Sequence, residues 1–477
     1  MAPLALHTMS KAMIAQDRIA RVLSDLRPET AVPARESPAQ TLAQRMQYYA
    51  TPGASIGVID DGALAWASGF GVRMMGMADA VTATTPFQAG SISKPVFALA
   101  VMRLVEQGML DLDADVNGYL TSWRVPANGG WQPRITLRQL LSHTAGTTVH
   151  GFRGYPASGP WPTPLEVLQG VPPANTPEVI VDLMPGLAFR YSGGGTTIAQ
   201  QVVVDVLGRP FPDLMRELIL DPLGMADSTF EQPLSAPMAA RAAVGHPLNG
   251  QPLSGGAHVY PEMAAAGLWT TTADLSRLAI ALVGTLRGER SALPLNTESV
   301  QSMLQPQLPD QTIGEHFVGI GWYCGGEGDD FCFGHQGVDE GFLAEMRVLP
   351  ARGKAAAVLI NAHGWLLPVE IFKAIGREYG WPATPLRAAS IAMPPGIDYA
   401  GSYRSEHDVL VLVTQSADGL ALRLGGQTPV PLVPSSEMEF HAVVLNLFVH
   451  FETESDRAVT AMTLMQHGKE IRLIRDR

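Results

Sequence analysis

The chain is poor in lysine, poor in cysteine and poor in charge overall, and each shortage narrows what it can be. Of its 477 residues only 16% are charged against 46% apolar, the balance of a globular chain rather than a disordered one. No basic cluster interrupts the net charge of −12, which argues against a nucleic-acid-binding surface. No apolar run is long enough to cross a bilayer. The two cysteines, Cys324 and Cys332, are too few for a disulfide framework. They flank a glycine-rich turn, where they read as two reduced thiols, with a bridge across a hairpin as the alternative. The stretch from Met1 to Arg18 lacks a basic region followed by an apolar core and a cleavage site, so the expected location is cytoplasmic. There is no P-loop, dinucleotide fingerprint or internal repeat, and no cofactor or metal is expected.

At this length two or three domains are expected. Residues 1–45 read as a helical arm, with apolar residues at Ile19, Val22, Leu23 and Leu26. Residues 46–380 form the main domain. It opens with a hairpin, Ala54 to Ile59 and Ala63 to Phe70 around Asp61-Gly62, a strong turn signal. Helices are expected at Leu137 to Leu141, Pro164 to Leu168, Thr197 to Leu207, Phe211 to Leu220 and Thr272 to Val283. Strand character returns at Gly319 to Tyr323, Phe331 to Gly334, Phe342 to Leu349 and Ala355 to Asn361, before a helix from about Val369 to Tyr379. Strands at both ends of a helical block imply an α+β fold, one antiparallel sheet flanked by helices with an all-α insertion. A Pro-rich linker, residues 381–396, leads to residues 397–477, where seven short strand-like runs read as a small antiparallel β-barrel.

The scarcity of lysine makes one pattern stand out. Among five lysines, only Lys94 stands three residues after a serine, Ser91. Positions i and i+3 share a helix face, so the Ser91 hydroxyl and the Lys94 ammonium can come within hydrogen-bond reach. A seryl oxygen is a weak nucleophile until a base takes its proton, and a partly desolvated lysine, or a base it holds, can do so. The run from Val96 to Val105 is almost wholly apolar and stops at Gly108, which describes a buried helix with Pro95 in its first turn. Ser91 then stands at the positive end of that helix, where backbone N–H groups can hold an oxyanion. The same residues also suit a helix-capping serine followed by a solvated lysine.

Two distant stretches offer partners. Arg190-Tyr191-Ser192-Gly193-Gly194-Gly195 reads as a glycine-loosened loop before a helix starting near Thr196. Near a lysine ammonium the Tyr191 phenol ionises more readily and can act as a base; alone, it is equally a packing tyrosine on a turn. Gly334-His335-Gln336-Gly337-Val338 reads as the end of a strand turning toward the next. Its glycines let a ligand pass close to the backbone, and His335 can bind a carboxylate or carbonyl, tune the base, or simply fill a turn.

Taken together, Ser91-Ile92-Ser93-Lys94, Tyr191-Ser192-Gly193 and His335-Gln336-Gly337, in this order, resemble the three motifs of the serine β-lactamase/penicillin-binding-protein superfamily. Leu140 to Gly146, Pro222 to Met225 and Ala266 to Leu275 are similar to its class C-like branch, which includes D-aminopeptidases, carboxypeptidases and family VIII esterases. The resemblance covers about residues 45 to 380 and implies a β-lactamase-like fold. It also implies that Ser91 is acylated, that Lys94 holds and helps deprotonate it, and that Tyr191 is the base in acylation and activates water in deacylation. The oxyanion hole would be the N–H groups of Ser91 and Val338, with substrate contacts at His335, Gly337 and Gly193. His143 looks structural.

Two departures stand out. Gly193 replaces the asparagine whose amide contacts the substrate's acyl-side carbonyl, and His335 replaces the lysine of β-lactamases. Both weigh against β-lactam hydrolysis. Tyr399 to Tyr403 is similar to the start of lipocalin-like barrels appended to some members. The expected function is a serine hydrolase cleaving a small ester, amide or peptide through an acyl-enzyme. Transfer of the same acyl group to another acceptor, or a non-catalytic binding or assembly role, are the alternatives, and a homo-oligomer is left open.

Overall fold

Asp61 and Gly62 both adopt left-handed backbone, with φ of +51° and +71°. That is the conformation a two-residue hairpin turn needs to match the strand twist. In this computed structural model, which describes residues 16–27, 38–247, 250–308, 316–382 and 396–476 apart from residues 407, 417–418, 428, 435–436, 443–446, 454–457 and 467–468, the turn joins β1 (Gly53–Asp60) to β2 (Ala63–Gly71). The chain divides into two units, Met46–His363 and Met1–Arg45 with Gly364–Arg477.

In the first unit β3 (Phe87–Gln88) pairs with β4 (Trp269–Thr270), apart from the main sheet. The main sheet also contains β5 (His316–Val318), β6 (Tyr323–Gly325), β7 (Cys332–Asp339), β8 (Phe342–Leu349) and β9 (Lys354–Ile360). Its order is β2-β1-β9-β8-β7-β6-β5, with every neighbouring pair antiparallel. β1 therefore lies against β9, a strand nearly three hundred residues away. Its near-continuous burial follows, because strands flank it on both edges and helix packs on its face. Four helices organise the space around the sheet: α1 (Ser93–Glu106), α2 (Gly193–Leu207), α3 (Met263–Ala266) and α4 (Thr272–Leu286). α1 is buried from Ser93 to Met102, which its unbroken apolar run requires. α4 packs on β1 and β9, its first turn capped by Thr271, whose hydroxyl accepts from the Asp274 N–H at 3.1 Å.

Two strand assignments read from the sequence need correction. Gly319 to Tyr323 is chiefly the turn between β5 and β6, because Gly321 has a φ of +79° and its N–H leaves the sheet to donate to the Leu141 carbonyl at 2.9 Å. The His335-Gln336-Gly337 motif lies inside β7 rather than at a strand end, and the chain turns only after Asp339. Register also decides the cysteines. Cys324 pairs with Phe333 and Cys332 with Gly325, so the two thiols point to opposite faces of the sheet, and both are free.

In the second unit, residues 16–24 are helical and Val22 and Leu26 are buried; the rest of the N-terminal arm, and linker residues 383–395, lie outside the described residues. A helix, α5 (Leu367–Tyr379), carries Glu370, whose two carboxylate oxygens each accept from the Arg45 guanidinium at 2.7 Å with both side chains buried. Arg18 and Arg21 likewise donate to Glu378. The C-terminal residues form a closed barrel of eight strands, β10 (Gly401–Ser405), β11 (Leu410–Ser416), β12 (Gly419–Leu424), β13 (Val430–Pro434), β14 (Glu439–Ala442), β15 (Leu447–Thr453), β16 (Val459–Gln466) and β17 (Lys469–Arg475). The seven runs read from the sequence omitted β13, whose two prolines disguise it. Tyr399, Tyr403, Phe440 and Phe451 are each fully buried and fill the barrel core in edge-to-face and tilted contacts.

Candidate active site

The nucleophile candidate sits on a pinned turn. Gly90 has a φ of +49°, a conformation L side chains rarely adopt. The Ala89 N–H donates to the Leu268 carbonyl at 2.9 Å, and Ser93 Oγ donates to the Gly90 carbonyl while accepting from the Leu268 N–H at 2.9 Å. α1 starts at Ser93, so half-buried Ser91 stands just ahead of its first turn and Lys94 inside it. Lys94 is only 4% exposed, and its Nζ donates to Ser91 Oγ at 2.9 Å and to the Ala265 carbonyl of α3 at 2.7 Å. The helix-cap position is Ile92, which makes no side-chain cap. Ser91 as a cap beside a solvated lysine is therefore not the arrangement adopted.

Tyr191 reaches this pair from α2. Ser192 caps that helix in extended conformation, its Oγ accepting from the Gly195 N–H at 2.9 Å. The three glycines are thus the helix's first turn, not a loop before it. Packing explains their size: a Cβ on Gly193 would fall 2.8 Å from the Phe152 ring, on Gly194 2.9 Å from the Thr148 carbonyl, and on Gly195 2.6 Å from Thr147 Oγ1. Extended backbone at Ser192 sends its own hydroxyl to the Thr148 carbonyl and Tyr191 to the other side, where the phenol donates to Ser91 Oγ at 2.7 Å. The Tyr191 ring centroid lies 4.9 Å from Lys94 Nζ.

His143 grips Tyr191 from both flanks. Its carbonyl accepts from the Arg190 N–H at 2.8 Å, its Nδ1 accepts from the Ser192 N–H at 3.2 Å, and its ring lies 4.3 Å from that of Tyr191. Burial, followed by the charge of Lys94, holds this imidazole well below its ordinary pKa. It is therefore neutral, as an accepting Nδ1 requires.

β7 closes the cleft. Phe333, His335, Gly337 and Asp339 alternate on its buried face, with Gln336 and Val338 exposed between them. A Cβ on Gly337 would lie 1.8 Å from the Ala89 carbonyl oxygen, and one on Gly90 would lie 2.5 Å from the Val338 nitrogen. Only glycine at both positions lets the strand and the nucleophile turn touch, which brings the Ser91 and Val338 amides to one place. His335 packs 5.0 Å from the Tyr323 ring and 6.4 Å from the Tyr191 ring. Burial, then Lys94, pushes its pKa down to about 3, so it offers a hydrogen bond and no charge.

Two acidic residues beside this site escaped the sequence reading. Asp339 is 3% exposed and Glu262, immediately before α3, is fully buried. Asp339 had a signal in the period-two alternation through His335 and Gly337, once the strand is continued past the motif. Glu262 had none.

A family model described as Beta-lactamase matches residues 38–371 of this chain. The chain is 27% identical over 384 residues to penicillin-binding protein 4 of Amycolatopsis lactamdurans, a match covering 74% of this chain and 93% of that protein. It is 31% identical over 158 residues to esterase EstB of Burkholderia gladioli, covering 31% of this chain and 38% of that protein. Among solved structures, the octameric penicillin-binding protein homologue from Pyrococcus abyssi superposes with a TM-score of 0.62 at 22% identity, covering 91% of this chain and 98% of that one. That last likeness is one of fold.

Proposed function

The chain belongs to the beta-lactamase family, and on that premise we propose that it is a serine hydrolase that forms an acyl-enzyme on Ser91 and cleaves a small ester or amide. The observation that carries the reading is one oxygen with two partners: Ser91 Oγ lies 2.9 Å from Lys94 Nζ and 2.7 Å from the Tyr191 hydroxyl. In acylation the Tyr191 oxygen, as phenolate beside the ammonium, accepts the Ser91 proton while Oγ bonds to the substrate carbonyl carbon. The carbonyl oxygen, now negative, takes hydrogen bonds from the N–H groups of Ser91 and Val338. Tyr191 gives that proton to the leaving group; in deacylation it takes one from the water that attacks the acyl carbon and passes it to Ser91 Oγ as the acid departs.

The surroundings favour an ester or simple amide over a β-lactam. The Phe152 ring fills the space a side chain at position 193 would need, and His335 is held neutral. At positions 193 and 335 the chain therefore offers neither an amide nor a positive charge to a charged substrate.

A fluorophosphonate probe tests the reading directly. Labelling of the wild type that vanishes in Ser91→Ala supports it, and an unlabelled wild type overturns it. Lys94→Ala and Tyr191→Phe should each lower p-nitrophenyl ester turnover by at least about a hundredfold, the scale of a lost proton-transfer group. Rates near wild type in both would refute the roles assigned.

A further inference from the structure

Buried carboxyl groups in folded proteins almost always have hydrogen-bond partners. Here three carboxyl oxygens behind the nucleophile turn do not: both Asp339 oxygens and Glu262 Oε2 are buried without one. The remaining oxygen, Glu262 Oε1, accepts a long bond of 3.4 Å from the Tyr155 hydroxyl, and the residue's own backbone N–H is directed at the carboxyl group. The Gly90 N–H and the Tyr260 hydroxyl are directed at Asp339 and favour its charged form, but neither closes a hydrogen bond of normal geometry. The Tyr260 hydroxyl donates a long bond to the Arg153 carbonyl at 3.5 Å and accepts from the Glu340 N–H at 2.9 Å.

Placement ties both groups to the lysine. Asp339 lies two residues, about 7 Å, along β7 from Gly337, on the same buried face that abuts the Ser91 turn. Glu262 directly precedes α3, whose Ala265 carbonyl holds Lys94 Nζ. Asp339 feels the attraction of the Lys94 ammonium and the repulsion of Glu262. Among the described residues, the other titratable groups near this cluster include Tyr155, Tyr260 and Glu340 on the carboxyl side, and Tyr191, His143 and His335 on the lysine side.

We propose that Asp339 and Glu262 form a positioning pair, two buried carboxyl groups that hold one negative charge behind Lys94 and so set the pH range over which Ser91 is activated. The proposal rests on the serine-hydrolase reading of the same site. Two like charges that feel each other in a dry interior are not both carried, so above about pH 7 the pair keeps one proton and presents a single charge. Burial raises both carboxyl groups, Glu262 to about 7 and Asp339 well above its ordinary value. A purely structural role would be served as well by amide or apolar groups, which do not strain the core. The negative charge that the pair carries above about pH 7 makes protons near it harder to remove, so its loss lets the nucleophile's base work at lower pH.

The test is the rate of fluorophosphonate labelling of Ser91 against pH in wild type, Asp339→Asn, Glu262→Gln and the double variant. The double variant should move the acid limb of the profile down by about one pH unit, the effect of one charge about 7 Å away at an effective dielectric constant of about 40. A limb that stays put while all rates fall together means a structural role, and overturns the proposal. The infrared carbonyl stretch of a protonated carboxyl group at neutral pH should be present in wild type and absent from the double variant; its absence from wild type overturns the shared proton whether or not the variants fold. Wild type that fails to label at any pH sinks the hydrolase reading, whereas labelling with an unmoved limb sinks the pair alone.

Discussion

Single residues here are under opposed demands, and stability against pH exposes the conflict. Glu262 has its pKa raised from 4.5 to about 7 by burial, so folding favours its protonated form. The stability it contributes is present below about pH 4.5 and is lost as the pH rises through about 7, roughly 3 kcal/mol at 1.36 kcal/mol per unit. His335, with its pKa lowered from 6.5 to about 3, acts in the opposite sense, being fully stabilising above 6.5 and losing that contribution as the pH falls toward 3. The difference between wild type and Glu262→Gln in chemical denaturation isolates the carboxyl term. Glu262→Gln should gain stability relative to wild type between about pH 4.5 and about 7, and a pH-independent difference would contradict the buried charge. Gly337 is constrained differently. Its methyl would collide with the Ala89 carbonyl, so Gly337→Ala must push β7 off the nucleophile turn and misplace the Val338 amide. In the proposed hydrolase that amide is an oxyanion donor, and loss of one such donor costs about a hundredfold or more. The labelling rate of Gly337→Ala should fall by that order with unchanged circular dichroism.

At the scale of elements, what holds each piece is a small number of side chains that replace missing backbone partners. Ser192, Thr271 and Asn296 cap the helices that follow them, each accepting from an N–H in the first turn. The Arg45–Glu370 pair fastens the N-terminal segment to α5 through two short bonds between side chains that water does not reach. Removing the carboxylate takes the opposite charge from a buried arginine that still donates to Gln40 Oε1 at 3.3 Å, a loss on the scale of about 3–5 kcal/mol. Glu370→Ala should therefore lower the denaturation free energy by that amount. A loss below 1 kcal/mol would mean that the arginine finds water or another partner.

At the scale of the whole molecule, the sequence by itself determined what periodicity and local chemistry can carry. The Asp61-Gly62 hairpin, the buried α1 helix and the α+β class were legible because turn residues and apolar spacing encode local backbone directly. The three motifs, matched to a known family, also pointed to Ser91, Lys94 and Tyr191. The barrel was legible as a class but not strand by strand, since Pro431 and Pro434 hide β13 in a stretch without alternation. Tertiary structure alone decided the rest. It placed β1 beside β9, put Cys324 and Cys332 on opposite faces, and turned three glycines into a packed helix start. It also brought His143, His335, Asp339 and Glu262 into one buried region with the segments that hold Ser91 and Lys94, where the charge states of those four follow from exclusion of water and from neighbouring charges. Such states depend on which groups meet in a medium of low dielectric, and no reading of neighbours along the chain contains that information.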